Sequence, residues 1–110
     1  GDTERSYLYT ADAVSAIIVA LIKGLAGEAY TIANPETYCS IKEMGNLVAN
    51  EIANGEIKVV FDLNNDATKQ GYADTLYMNL DVAKIQKLGW KPRVSLLEMY
   101  ERMISSICFF

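Results

Sequence analysis

The chain has 110 residues, about half of them apolar, with ten cations against fourteen anions and a net charge of −4. That length fits one domain with a modest core, and an acidic balance without a basic stripe argues against a nucleic-acid partner. Two cysteines without CxxC spacing, Cys39 and Cys108, and the absence of histidine argue against a zinc site and exclude Ser-His and Cys-His nucleophilic chemistry.

Residues 5–10 (Arg-Ser-Tyr-Leu-Tyr-Thr) carry β-favouring aromatics and read as a short strand. Thr10 is placed as the N-cap of a helix that runs to about Lys23 and stops at Gly24, with Asp12 suited to the positive end of the helix dipole. Between Ala13 and Ile22 this helix is apolar nearly all the way round, so it calls for cover on every face. The run is about half of the ~20 residues that span a bilayer, and no charged-then-apolar leader follows Gly1. The expectation is a cytoplasmic chain with no membrane partner and two idle thiols.

Glu28 to Ala33 reads as a strand, and Asn34-Pro35-Glu36 as the loop leaving it. Ser40 with Glu43 spells a capping box, opening a helix with Ile41, Met44, Leu47, Val48 and Ile52 on one face and Asn54-Gly55 as its stop. Ile57 to Leu63 is β-branched enough for a strand, 64–74 is polar loop, and Leu76 to Leu80 is extended. Asp81 caps a short helix with Val82, Ile85 and Leu88 at helical spacing. Gly89 offers a left-handed C-cap, Trp90 a large ring to bury, and Pro92 a stop, before Ser95 with Glu98 opens the last helix. Short strands alternate with about four helices, so the class is α/β, or α+β for so small a lobe.

Three blocks, in order and spacing, carry a resemblance: 5–14 (RSYLYTADAV), 27–34 (GEAYTIAN) and 88–92 (LGWKP) with Ser95 and Glu98. Together they resemble the C-terminal, substrate-binding part of the extended short-chain dehydrogenases, the NAD-dependent nucleotide-sugar epimerases and dehydratases. The resemblance runs from about Gly1 to Ile104. It implies a parent enzyme that binds NAD or NADP through an N-terminal dinucleotide-binding domain, which this chain lacks. None of its glycines forms a GxGxxG turn, so no cofactor is expected on residues 1–110. The implied ligand is a nucleotide sugar. A non-catalytic binding or interaction module that keeps the lobe's fold is the alternative, and the all-round apolar helix points to self-association, most simply a homodimer.

The resemblance makes Arg5 the diphosphate contact, a role that suits the rigid donor fork of a guanidinium; without the motif around it, an arginine on a strand edge would be merely solvated. Asp12 is given a structural role, bonding backbone N–H groups near the helix start. Where relatives carry a second phosphate-binding arginine this chain has Leu76-Tyr77-Met78-Asn79, so Tyr77, by its hydroxyl, and Lys69, from the polar loop, are the remaining substrate-binding candidates. Tyr38 and Lys42 match the family's catalytic YxxxK spacing, but Ser40 as N-cap puts Tyr38 outside the helix on which that chemistry depends. No catalytic residue is therefore assigned.

Overall fold

A computed structural model describes residues 1–62, 71 and 74–108. Their elements are β1 (Glu4–Arg5), α1 (Thr10–Lys23), a 3₁₀ turn (Pro35–Thr37), β2 (Cys39–Ser40), α2 (Ile41–Leu47) continuing as a π turn (Val48–Ile52), β3 (Tyr77–Met78), α3 (Ala83–Gln86) and α4 (Leu96–Ile107). The strands form one mixed sheet in the order β2-β1-β3, with β1 antiparallel to β2 and parallel to β3. This is the small α/β lobe with four helices read from the sequence.

Ser40 caps α2 through the full reciprocal box: its hydroxyl accepts the Glu43 N–H, and the Glu43 carboxylate accepts the Ser40 N–H. Ser95 makes half of the same device, accepting the Glu98 N–H, while the Glu98 carboxylate turns along the helix to Arg102 at 2.6 Å. Gly89 adopts φ +95°, a conformation that resists a side chain. The expected cap of α1 is not made. Thr10 is the first helical residue, Tyr9 occupies the N-cap without a side-chain bond, and the Asp12 carboxylate is engaged elsewhere.

Three expected strands shrink or vanish, each for want of a partner. Pairing in the first stops after Arg5, because the Tyr7 N–H goes to the Thr37 hydroxyl at 2.8 Å instead of a neighbouring strand. Residues 28–33 form no ladder: Tyr30, Ile32 and Ala33 pack on the core by their side chains, and no described residue bonds the backbone from 30 to 33. The described part of 57–63 is irregular, with Val60 on the surface; Leu63 and most of the 64–74 loop lie outside the described residues.

The core gathers Ala16, Ala33, Val82, Ile85 and Trp90, with Leu8, Val19, Ala20, Tyr30 and Ile32 packed around it. Only the inner side of α1 contributes. Ile17, Ile18, Leu21 and Ile22 lie outside, Leu21 at 82% and Ile22 at 73% exposure. The expected all-round cover of this helix is thus absent on its outer face. The radius of gyration, 17.0 Å, exceeds the roughly 13 Å of a compact domain near this length. No helix among the described residues is long and apolar enough to cross a membrane.

Candidate functional site

Arg5 lies on the middle strand of the sheet, with Cys39 of β2 and Met78 of β3 as its register partners. Paired residues share a face and neighbours along a strand alternate. One face therefore carries Arg5, Cys39 and Met78, and the other carries Glu4, Ser40 and Tyr77. Arg5 is exposed and makes no ion pair with a described residue. Its guanidinium is open to an anion.

Tyr7 follows Arg5 at the two-residue spacing that returns to the same side of extended chain. The Tyr7 phenol is pushed above its ordinary value by partial burial first, then by Cys39 and Tyr100, with Arg5 opposing. It stays protonated at neutral pH and offers an O–H beside the Arg5 charge. Its backbone is held from both sides by the buried Thr37 hydroxyl, which accepts the Tyr7 N–H and lies 2.7 Å from the Tyr7 carbonyl and 2.9 Å from that of Asn34. One hydroxyl proton serves one of those two carbonyls at a time. The sequence reading missed Tyr7; the spacing from Arg5 was the signal that could have found it.

Tyr77 sits on the strand beside Arg5 but pairs with Glu4, on the opposite face, and is 66% exposed. The sheet brings the two into neighbouring strands without aiming them at one point. Lys69 lies outside the described residues. Tyr38 and Lys42 are kept apart by the cap at Ser40: Tyr38 ends the 3₁₀ turn, and Lys42 sits over the Phe61 ring at 5.6 Å. The Tyr38 phenol is raised, chiefly by its hydrogen bond to the Glu4 carboxylate and then by burial. Catalytic activation by a lysine would lower it. Cys39 is raised by burial, then by Glu43 and Glu4, so it too is held as a neutral thiol. Among the described residues no group of three or more Cys, Asp or Glu side chains is placed to hold a metal.

Asp12 has the structural role expected of it, with different partners. Its Oδ2 accepts the N–H groups of Arg93 and Val94, each at 3.0 Å, so it joins the two ends of the lobe instead of capping its own helix. Trp90 Nε1 donates to the Asp12 carbonyl at 3.1 Å and to the Ser15 hydroxyl at 3.0 Å. Asn34 Nδ2 donates to the Val94 carbonyl at 3.2 Å. The three sequence blocks thus meet in one buried knot of hydrogen bonds, and that knot fixes how β1 and Arg5 are presented.

No helix among the described residues is preceded by a glycine turn that could cradle a dinucleotide pyrophosphate: the N-caps are Tyr9, Ser40, Val82 and Ser95. The described residues do not fit a nicotinamide dinucleotide in the usual way.

No protein-family model matches the chain, and no curated protein does. Among the solved structures that match is RMD from Pseudomonas aeruginosa complexed with NADPH, with a TM-score of 0.69 and 26% sequence identity over 88% of this chain. The chain spans 30% of that protein's length. It therefore has the fold of one part of a longer protein that is seen with a nicotinamide cofactor.

Proposed function

We propose that this chain is the substrate lobe of a longer NAD- or NADP-dependent epimerase or dehydratase acting on a nucleotide sugar. The observation that carries the reading is Arg5: an exposed guanidinium on the middle strand, without a carboxylate partner among the described residues, beside a phenol that stays protonated. A diphosphate fits that pair, since the fork takes two oxygens and the Tyr7 hydroxyl donates to a third. The likeness to part of an NADPH complex supports an enzymatic parent. In such a parent the nicotinamide would supply hydride transfer, and this lobe would hold the sugar nucleotide in place through Arg5. Tyr77 and Lys69 remain second-line contacts, for the sugar or for a phosphate. A dinucleotide-binding domain would be a separate body.

The outer face of α1 and the backbone from 30 to 33, which bonds to no described residue, suit the same reading, because both are surfaces that a second body would cover. They suit equally a self-associating interaction module, the second reading. The reading frame upstream of Gly1 separates the two: a strand, a Gly-rich turn and a later YxxxK favour the enzyme.

The binding test is a titration of UDP, GDP and NADPH into the chain, followed by amide NMR. The expected result is saturable shifts at Arg5 and Tyr7 with either nucleoside diphosphate, and none with NADPH. Saturable micromolar NADPH binding, or diphosphate shifts that leave Arg5 and Tyr7 untouched, would overturn the proposal.

A further inference from the structure

A groove of about 400 Å³ runs between α1 and the turn from Gly89 to Arg93, a size in the range of small-molecule sites. Ala11, Ser15 and Val19, spaced four residues apart on α1, form one wall. Trp90 lies beneath, its indole N–H already spent on Asp12 and Ser15. Lys91 and Arg93 form the other wall. Both are exposed, and neither has an ion-pair partner among the described residues. A third cation stands at the end of the groove: the Lys23 ammonium lies 3.8 Å from where a Cβ on Gly89 would sit.

The anion lining the groove is Asp12, whose Oδ2 is already engaged by two backbone N–H groups. Three cations against one carboxylate leave two positive charges uncompensated in a chain whose net charge is −4. Charge of the minority sign, concentrated on one groove and without ion-pair partners among the described residues, is a feature of anion recognition. The pairing is also chemically apt: a guanidinium presents a fork to two oxygens, an ammonium a compact charge, and the Ser15 hydroxyl lies within the same wall.

We propose that this groove binds a small dianion of the phosphomonoester class. Two negative charges balance the excess, and the wall of Ala11 and Val19 accepts a compact organic body attached to the phosphate. The site is independent of Arg5.

The experiment titrates inorganic phosphate and phenyl phosphate into the chain at constant ionic strength, with chloride as control, and follows amide and indole NMR signals. Saturable shifts centred on Ser15, Gly89, Lys91 and Arg93, tighter for phenyl phosphate than for phosphate, are expected. The double variant K91A/R93A should weaken binding about tenfold or more, as the loss of a charge-assisted hydrogen bond implies, while R5A leaves it unchanged. The Arg93 backbone bond to Asp12 does not depend on its side chain, so an unaltered Trp90 indole signal certifies the fold of the variant. Linear shifts matched by chloride, or binding abolished by R5A and untouched by K91A/R93A, would overturn the assignment.

Discussion

Asp12 and Val94 stand 82 positions apart and share a 3.0 Å hydrogen bond, carboxylate oxygen to backbone N–H. Val94 is buried, and the Arg93 N–H shares the same oxygen. The contact closes a loop of 82 positions and seats the Trp90 corner against the first turn of α1. An acid expected to bond backbone N–H groups near its own helix start instead holds the two halves together.

Replacing it should therefore cost far more than a helix cap. Asp12→Ala strands two backbone donors, one of them buried, and is expected to destabilise the chain by about 2–4 kcal/mol, given 1–3 kcal/mol per buried group left unsatisfied. Asp12→Asn keeps an acceptor at the same place and should lose about half as much. Urea unfolding followed by Trp90 fluorescence measures both; equal and small losses would show that the carboxylate does not carry the junction.

The capping box gives a pH signature. Hydrogen bonds from the Ser40 backbone and then its side chain hold the Glu43 carboxyl below its ordinary value. A depressed folded-state value adds stability above the unfolded-state value, ordinarily near ~4.3, and that stability is lost as pH falls through the lower folded value. The wild type should weaken between about pH 5 and pH 3, and Glu43→Gln, which retains an acceptor without a titrating proton, should show a shallower fall. Glu28, lowered mainly by its hydrogen bond and charge contact with Lys84, keeps its own share in both chains. Thermal midpoints across that range provide the comparison, and parallel curves would remove Glu43 from the acid response.

What could be read from the sequence was whatever closes within a few residues. The Ser40–Glu43 box and the Gly89 turn need only local geometry, and both formed. The strands at 28–33 and 57–63 were misread because β-propensity says that a segment would pair, not that a partner exists. Tyr30 and Ile32 found core contacts, and their backbone found no partner among the described residues. Asp12 could be recognised as structural, but the N–H groups it accepts lie more than 80 residues away, where no spacing rule reaches. Arg5 stands out only through the blocks around it, and its role is the one proposed above.

The uncovered face of α1 predicts self-association. Val14, Ile17, Ile18, Leu21 and Leu25 present adjoining apolar side chains to solvent, and a contiguous patch of this kind drives pairing or aggregation. Sedimentation velocity should show concentration-dependent dimers or larger species, and the double variant I17K/L21K should return the chain to a monomer with its core unaltered. A wild type that stays monomeric at high concentration would show that the face is tolerated in water.

Arg5 gives the most direct functional test. In the parent enzyme proposed above, Arg5→Ala should weaken sugar-nucleotide binding by about 1.5–3 kcal/mol, the range for a hydrogen bond to a charged group. The fold should survive, since the side chain is exposed and makes no ion pair among the described residues. Arg5→Lys should recover only part of the loss, because an ammonium keeps the charge and gives up the fork. Tyr7→Phe removes one neutral donor and should cost less, about 0.5–1.5 kcal/mol. Tyr77→Phe, on the other face of the sheet, should leave the diphosphate contribution unchanged. Calorimetric titration of the four variants ranks the contacts. Wild-type affinity in Arg5→Ala would move the phosphate contact away from β1, and Lys69 would be the next residue to replace.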